Sequence, residues 1–106
     1  MLTDVRIYTV NRGEMDDWLR LWTEQIAPLH ARLGMNIEGA WVNRPQNEFV
    51  WARSFEDEAD QQEKMKQFYE SPERQALGDK LRAHIAKVEI REMEPVAFER
   101  SAAGAR

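Results

Sequence analysis

The residues in this chain best suited to chemistry are arginines placed beside aromatic rings. "VRIYTV" (5–10) puts Arg6 two positions from Tyr8, and "EFVWARSF" (48–55) puts Trp51 two positions from Arg53. Trp41 lies between them in "GAWV". On a β-strand, residues two apart share a face. Guanidinium groups beside aromatic rings suit an anionic aromatic or acyl ligand, through charge-assisted hydrogen bonds and stacking. The same residue types are enriched where protein surfaces meet. Arg6, Tyr8, Trp41, Trp51 and Arg53 are therefore the candidate ligand-binding residues, and equally the candidates for an interface. His30, one turn after Ile26, is the candidate catalytic residue. At the mouth of a binding site it would act as a general base or haem ligand; at a packing boundary it would donate to a backbone carbonyl. His84, beside Leu81 and Ile85, has no evident acidic partner and is expected to be structural.

Other chemistries are missing from the sequence. There is no cysteine, hence no disulfide, zinc thiolate or thiol nucleophile. Asp57, Glu58 and Asp60 cluster, but a helix start accounts for them through the helix dipole. No metal site and no cofactor are expected, and neither a glycine-rich phosphate loop nor a nucleophile elbow occurs. The net charge of −4 speaks against nucleic acid as a partner. No signal peptide or membrane-spanning run is evident, and the expected location is the cytoplasm.

The elements that must position these residues follow from periodicity. "VRIYTV" alternates as a strand. From Glu14 the period becomes helical: Met15, Trp18, Leu19, Trp22, Ile26, Leu29 and Leu33 form one apolar stripe, with Trp18 and Trp22 in the core. Gly34 closes this helix in a left-handed conformation. Pro28 either kinks the helix or opens a second one. "MNIEGAWVNR" and "EFVWARSF" form a hairpin across "PQN", and Gly39 marks a bulge or a close backbone approach. "EDEADQQEKMKQFYE" is a polar helix with Met65, Phe68 and Tyr69 on its apolar side. Ser71 caps the next helix, whose stripe is Leu77, Leu81 and Ile85. "KVEIREMEPV" is the last strand. One domain spans residues 1–98, and 99–106 form a flexible tail.

The order β-α-β-β-α-β predicts an α+β, ferredoxin-like sandwich: an antiparallel sheet with helices on one face. A three-residue hairpin loop pairs Arg44 with Glu48. That register puts Ala40, Val42, Val50 and Ala52 on one face, and Ile37, Trp41, Phe49, Trp51, Arg53 and Phe55 on the other. The small face is expected under the helices. The large face, with Arg6, Tyr8 and Arg91, then points away from them and needs a cover, most simply a second copy of the chain. Arg53, directed into a closed barrel, then needs a partner: either a carboxylate such as Glu89 on the last strand, or an anionic ligand.

"RIYTVNRGEMDDWLRLW", "IAPL", "GAWV", "NEFVWARSF" and "FYESPERQAL", across residues 3–95, resemble the bacterial NIPSNAP family. The resemblance implies a dimeric α+β barrel, in which two ferredoxin-like sheets pack face to face. That superfamily includes cofactor-free monooxygenases, haem-degrading, dehalogenating and isomerising enzymes, so the resemblance names no single activity. Three readings follow: a homodimer whose pocket binds a small organic acid, a homo-oligomeric interaction module without a small ligand, and an enzyme whose substrate itself reduces oxygen.

Overall fold

A computed structural model describes residues 1–100 of the 106-residue chain; the expected tail lies, from residue 101 on, outside the described residues. Strand β1 (Leu2–Val10) leads into helix α1 (Met15–Leu21), a wider π-helical turn (Trp22–Ile26) and helix α2 (Ala27–Arg32). Strands β2 (Asn36–Asn43) and β3 (Glu48–Phe55) form the hairpin, and helices α3 (Glu58–Glu70), α4 (Pro72–Leu77) and α5 (Lys80–Ala83) precede strand β4 (Ile85–Met93). All pairings are antiparallel, in the order β2-β3-β1-β4. This is the ferredoxin-like α+β sandwich.

Local chemistry explains several boundaries. Gly34 takes φ 72° at the end of α2. The Asp57 carboxylate caps α3 by accepting from the Asp60 N–H, and the Ser71 hydroxyl caps α4 by accepting from the Arg74 N–H. The helix expected from Ser71 to Ile85 is broken instead. Gly78, at φ 52°, separates α4 from α5, and Ile85 begins β4. Pro28 sits in the first turn of a second helix, α2, one residue after its start at Ala27. The turn before it widens, with the Ala27 N–H bonded to the Trp22 carbonyl. This lets the chain pass a proline that has no N–H and whose ring crowds the carbonyl four residues back. Trp18, Trp22, Ile26, Leu29 and His30 all turn inward along this path.

The hairpin overturns the expected faces. Asn43, not Arg44, pairs with Glu48. The loop has four residues, Arg44–Asn47, closed by Asn47 in the left-handed region at φ 55°. A one-residue change of register exchanges the faces of one strand relative to the other. Trp41 therefore pairs with Val50, while Trp51 sits opposite Ala40. A bulge between Ile37 and Gly39 restores Ile37 to the side of Arg53.

The large side chains lie under the helices, not away from them. Trp18 meets Tyr8 and Phe49, and Trp22 meets Phe49 and Trp51, with ring centroids 5.2–5.7 Å apart. Edge-to-face contacts of this kind add to the gain from burial. Val10, Met15, Ile26 and Leu77 complete this cluster, and Leu29, Met35, Phe55 and Phe68 form a second. The outer face carries Val5, Ile7, Val50 and Trp41. Trp41 stays 59% exposed, its ring folded over Gly39, where a Cβ would lie 2.7 Å from Trp41 Cη2.

Trp18→Ala should cost about 3–5 kcal/mol, the range for deleting a large buried aromatic. Trp41→Ala, on the outer face, should cost the isolated subunit far less. Denaturant unfolding of both variants, at concentrations too low for association, checks the assignment of the two faces.

Candidate functional site

Beneath α1 and α2, β1 and β3 bring one carboxylate between two arginines. Asp4 Oδ2 accepts from Arg53 Nε at 2.8 Å and from Arg6 Nη1 at 3.3 Å. Asp4 lies opposite Arg53 in the sheet register, and Arg6 opposite Trp51, so all four side chains share the helix-packed face. Asp4 and Arg53 are 3% exposed. Two guanidinium groups against one carboxylate leave a surplus positive charge in a mostly dry layer, and such a charge is costly without a partner. Asp4, not Glu89, is the carboxylate of Arg53. Glu89 pairs with Arg91 on the outer face.

The network continues on both sides. Arg6 Nε donates to the Tyr8 hydroxyl at 2.9 Å, so the Tyr8 proton is free to donate elsewhere. Arg53 Nη1 donates to His30 Nε2 at 3.0 Å, and His30 Nδ1 donates to the Ile26 carbonyl at 2.8 Å. A carbonyl only accepts and a guanidinium only donates, so His30 is neutral with its proton on Nδ1. Burial, with Arg53 and Arg6 nearby and despite the Ile26 bond, pushes its pKa down to about 4. Burial lowers Arg53 too, aided by repulsion from Arg6 and opposed by Asp4. Arg6 moves the other way: burial alone would lower it, but Tyr8 and Asp4 together outweigh that.

Beside this network lies a cavity of about 400 Å³ between the sheet and the helices. Its inner wall is formed by Arg6, Tyr8, Trp18, Trp22, Trp51 and Arg53. Toward solvent it is bounded by Phe68, Tyr69, Arg74, Arg82 and the start of β4. Every charged residue lining it is basic. The indole N–H groups of Trp18, Trp22 and Trp51 are buried and have no acceptor among the described residues. Buried donors without partners are uncommon, and here three belong to side chains packed together beside one cavity.

The candidates read from the sequence are thus divided. Arg6, Tyr8, Trp51 and Arg53 converge on the cavity, but inside one chain rather than between two sheets. Trp41 lies on the opposite face, through the register change described above. His30 is not at any mouth: it is 0% exposed, with both ring nitrogens engaged, behind Arg53. His84 does have an acidic partner, Glu14 Oε1 at 2.9 Å, supplied from the loop before α1. Asp4 escaped the sequence reading although it alternates with Arg6 and Tyr8, which was the available signal. Arg74 and Arg82 gave none, because their approach depends on the break at Gly78.

The family model for NIPSNAP matches residues 3–100. The chain belongs to the NIPSNAP family. An uncharacterised NIPSNAP domain protein from Burkholderia xenovorans superposes with a TM-score of 0.84 at 17% identity, covering 95% of this chain and 100% of that one. A NIPSNAP family protein from Agrobacterium tumefaciens also gives 0.84, at 24% identity, covering 92% and 94%. A structure described as an antibiotic biosynthesis monooxygenase gives 0.67 at 16% identity, covering 92% and 100%. No functionally curated protein matches in sequence. At these identities the NIPSNAP and monooxygenase structures share the fold with this chain, and its activity has to be argued from the cavity. Among the described residues of this NIPSNAP chain, no helix is long and apolar enough to cross a membrane, and no cluster of metal-ligating side chains occurs.

In this NIPSNAP chain the buried neutral histidine makes stability depend on pH. Its folded pKa of about 4 lies below the ordinary value of 6.5, so the unfolded chain binds more protons between these values. Stability contributed by neutral His30 is full above pH 6.5 and falls by on the order of 3 kcal/mol by pH 4. His30→Gln should remove that part of the slope in unfolding curves measured from pH 7 to 4. An unchanged slope would contradict the neutral, buried state.

Proposed function

We propose that this protein binds a small organic anion, aromatic or acyl, in the cavity between sheet and helices. The observation that carries the reading is the lining: wholly basic among its charged residues, in a chain of net charge −4. A carboxylate or enolate oxygen against Arg6 would offset the surplus charge that Asp4 leaves, and the Tyr8 hydroxyl would donate its free proton to it. The indole rings supply flat apolar walls for the rest of the ligand. Arg53 and His30 act from behind, holding Asp4 and so the orientation of Arg6. Trp41 has no part in this pocket.

The lining also bears on catalysis. Among the described residues that form it there is no carboxylate and no histidine, so the cavity offers no evident general base. That favours binding over proton abstraction. A monooxygenase-like enzyme is the second reading, supported by the Arg6–Tyr8 pair, which can hold an oxyanion. A phenol or enol that ionises readily would need no protein base. Dioxygen would take four electrons from it, one oxygen atom entering the substrate as a carbonyl and the other leaving as water.

Aromatic carboxylic acids should raise the melting temperature of the protein, and Arg6→Gln should abolish the shift. Shifts that survive Arg6→Gln unchanged would place the acid elsewhere.

The outer face supports a homodimer. Val5, Ile7, Val50 and Trp41 form an apolar surface that no element of the same chain covers. Two such sheets facing each other give the dimeric barrel that the NIPSNAP resemblance implies. Light scattering should give twice the chain mass of 12.5 kDa. Trp41→Glu should give the monomer with the fold intact, since a carboxylate would be buried without a partner in the interface.

A further inference from the structure

The cavity has a second cationic region that the Arg6–Tyr8 end does not use. Arg74 projects from α4, which is fixed at its start by the Ser71 cap and in the core by Leu77. Its guanidinium carbon lies 5.9 Å from the centre of the Phe68 ring and 5.8 Å from that of Tyr69. Aromatic faces therefore hold this cation, and they leave its hydrogen-bonding capacity free. Its Nε is buried with no acceptor among the described residues, and its only side-chain bond is a long one, 3.4 Å, to the Gly78 carbonyl. Gly78 breaks the helix there, and the turn that follows starts α5, which brings Arg82 to the same cavity. Unlike Arg20, Arg32 and Arg44, neither Arg74 nor Arg82 has a carboxylate within ion-pair distance among the described residues. Lys87 also borders the cavity, but its ammonium lies 3.9 Å from Glu89, on the far side of β4, and is not part of this region.

We infer that Arg74 and Arg82 form a second anion subsite at the cavity mouth, so that the ligand is a dianion whose two acidic groups are separated by an apolar or aromatic spacer. This rests on the binding reading above and adds to it a ligand class. One acidic group meets Arg6 and Tyr8 at the inner end. The spacer lies along Trp22, Phe68 and Tyr69. The second group, a carboxylate or a phosphate, meets the two guanidinium groups, whose planar forks suit either. The subsite explains why Arg74 is positioned by stacking rather than by an acid, which would cancel the charge the ligand needs.

Calorimetric titration with matched ligands tests this: phenylacetate, 4-carboxyphenylacetate and the 4-phosphate ester of 4-hydroxyphenylacetate. At low ionic strength at least one dianion should bind about tenfold more tightly than phenylacetate, the gain of one charge-assisted contact. Arg82→Gln and Arg74→Gln should each weaken binding of the diacids more than binding of phenylacetate, and so reduce that advantage. Arg6→Gln should weaken all three. Arg82 is exposed, so its variant folds whatever Arg74 contributes to packing. Equal affinities of monoanion and dianions, or an advantage that survives the double variant, would overturn the second subsite and leave the first standing. Binding by none of the three would overturn the pocket reading and the subsite with it.

Discussion

One carboxylate, Asp4, holds two arginines inside the layer between sheet and helices. Its Oδ2 reaches both Arg53 and Arg6, on facing strands. Because the three charges do not cancel, the network carries a surplus positive charge that a simple ion pair does not. Removing the acid would leave two buried cations; removing either arginine would leave a simple pair. The surplus charge, the outward donor of Tyr8 and the basic lining of the cavity all depend on this arrangement.

The aromatic cluster serves the same network. Trp18, Trp22, Phe49 and Trp51 supply the burial that so short a chain needs, and their contacts keep Tyr8 and Arg53 in place. They also exclude water from Asp4, which strengthens its pull on both arginines. Packing and site are therefore one structure. The cavity persists where α4 and α5 are too short and too polar to close over β4. That opening leaves Val88 and Ile90 each 47% exposed on the helix-packed side. The widened turn before Pro28 links helix to site, because it brings Ile26 and His30 to the sheet together, and the Ile26 carbonyl fixes the histidine that supports Arg53.

The outer face follows a different constraint. Gly39 has no side chain, and the Trp41 ring takes that space. The ring lies over Gly39, on the same face as Val5, Ile7 and Val50. The cavity and this apolar surface thus occupy opposite faces of one sheet.

Much of this was legible in the sequence. Period and punctuation placed β1, the long tryptophan-bearing helix, the hairpin, the Ser71 cap and the irregularity at Gly39, because each depends on neighbours within a few residues. The sharing of one face by Arg6 and Tyr8, and by Trp51 and Arg53, was legible for the same reason: two-residue spacing puts them together whatever surrounds them. Which face that is lay beyond local rules. It turned on which face of β1 and β3 the helices cover, the one with Tyr8, Trp51 and Arg53, and on a hairpin loop of four residues rather than three, which left Trp41 on the other face. Asp4 beside Arg53, Glu14 beside His84, and Arg74 with Arg82 at the cavity mouth join residues far apart in the chain or separated by a glycine break. The packing of the helices on the sheet brings them together, so only the tertiary structure could decide them.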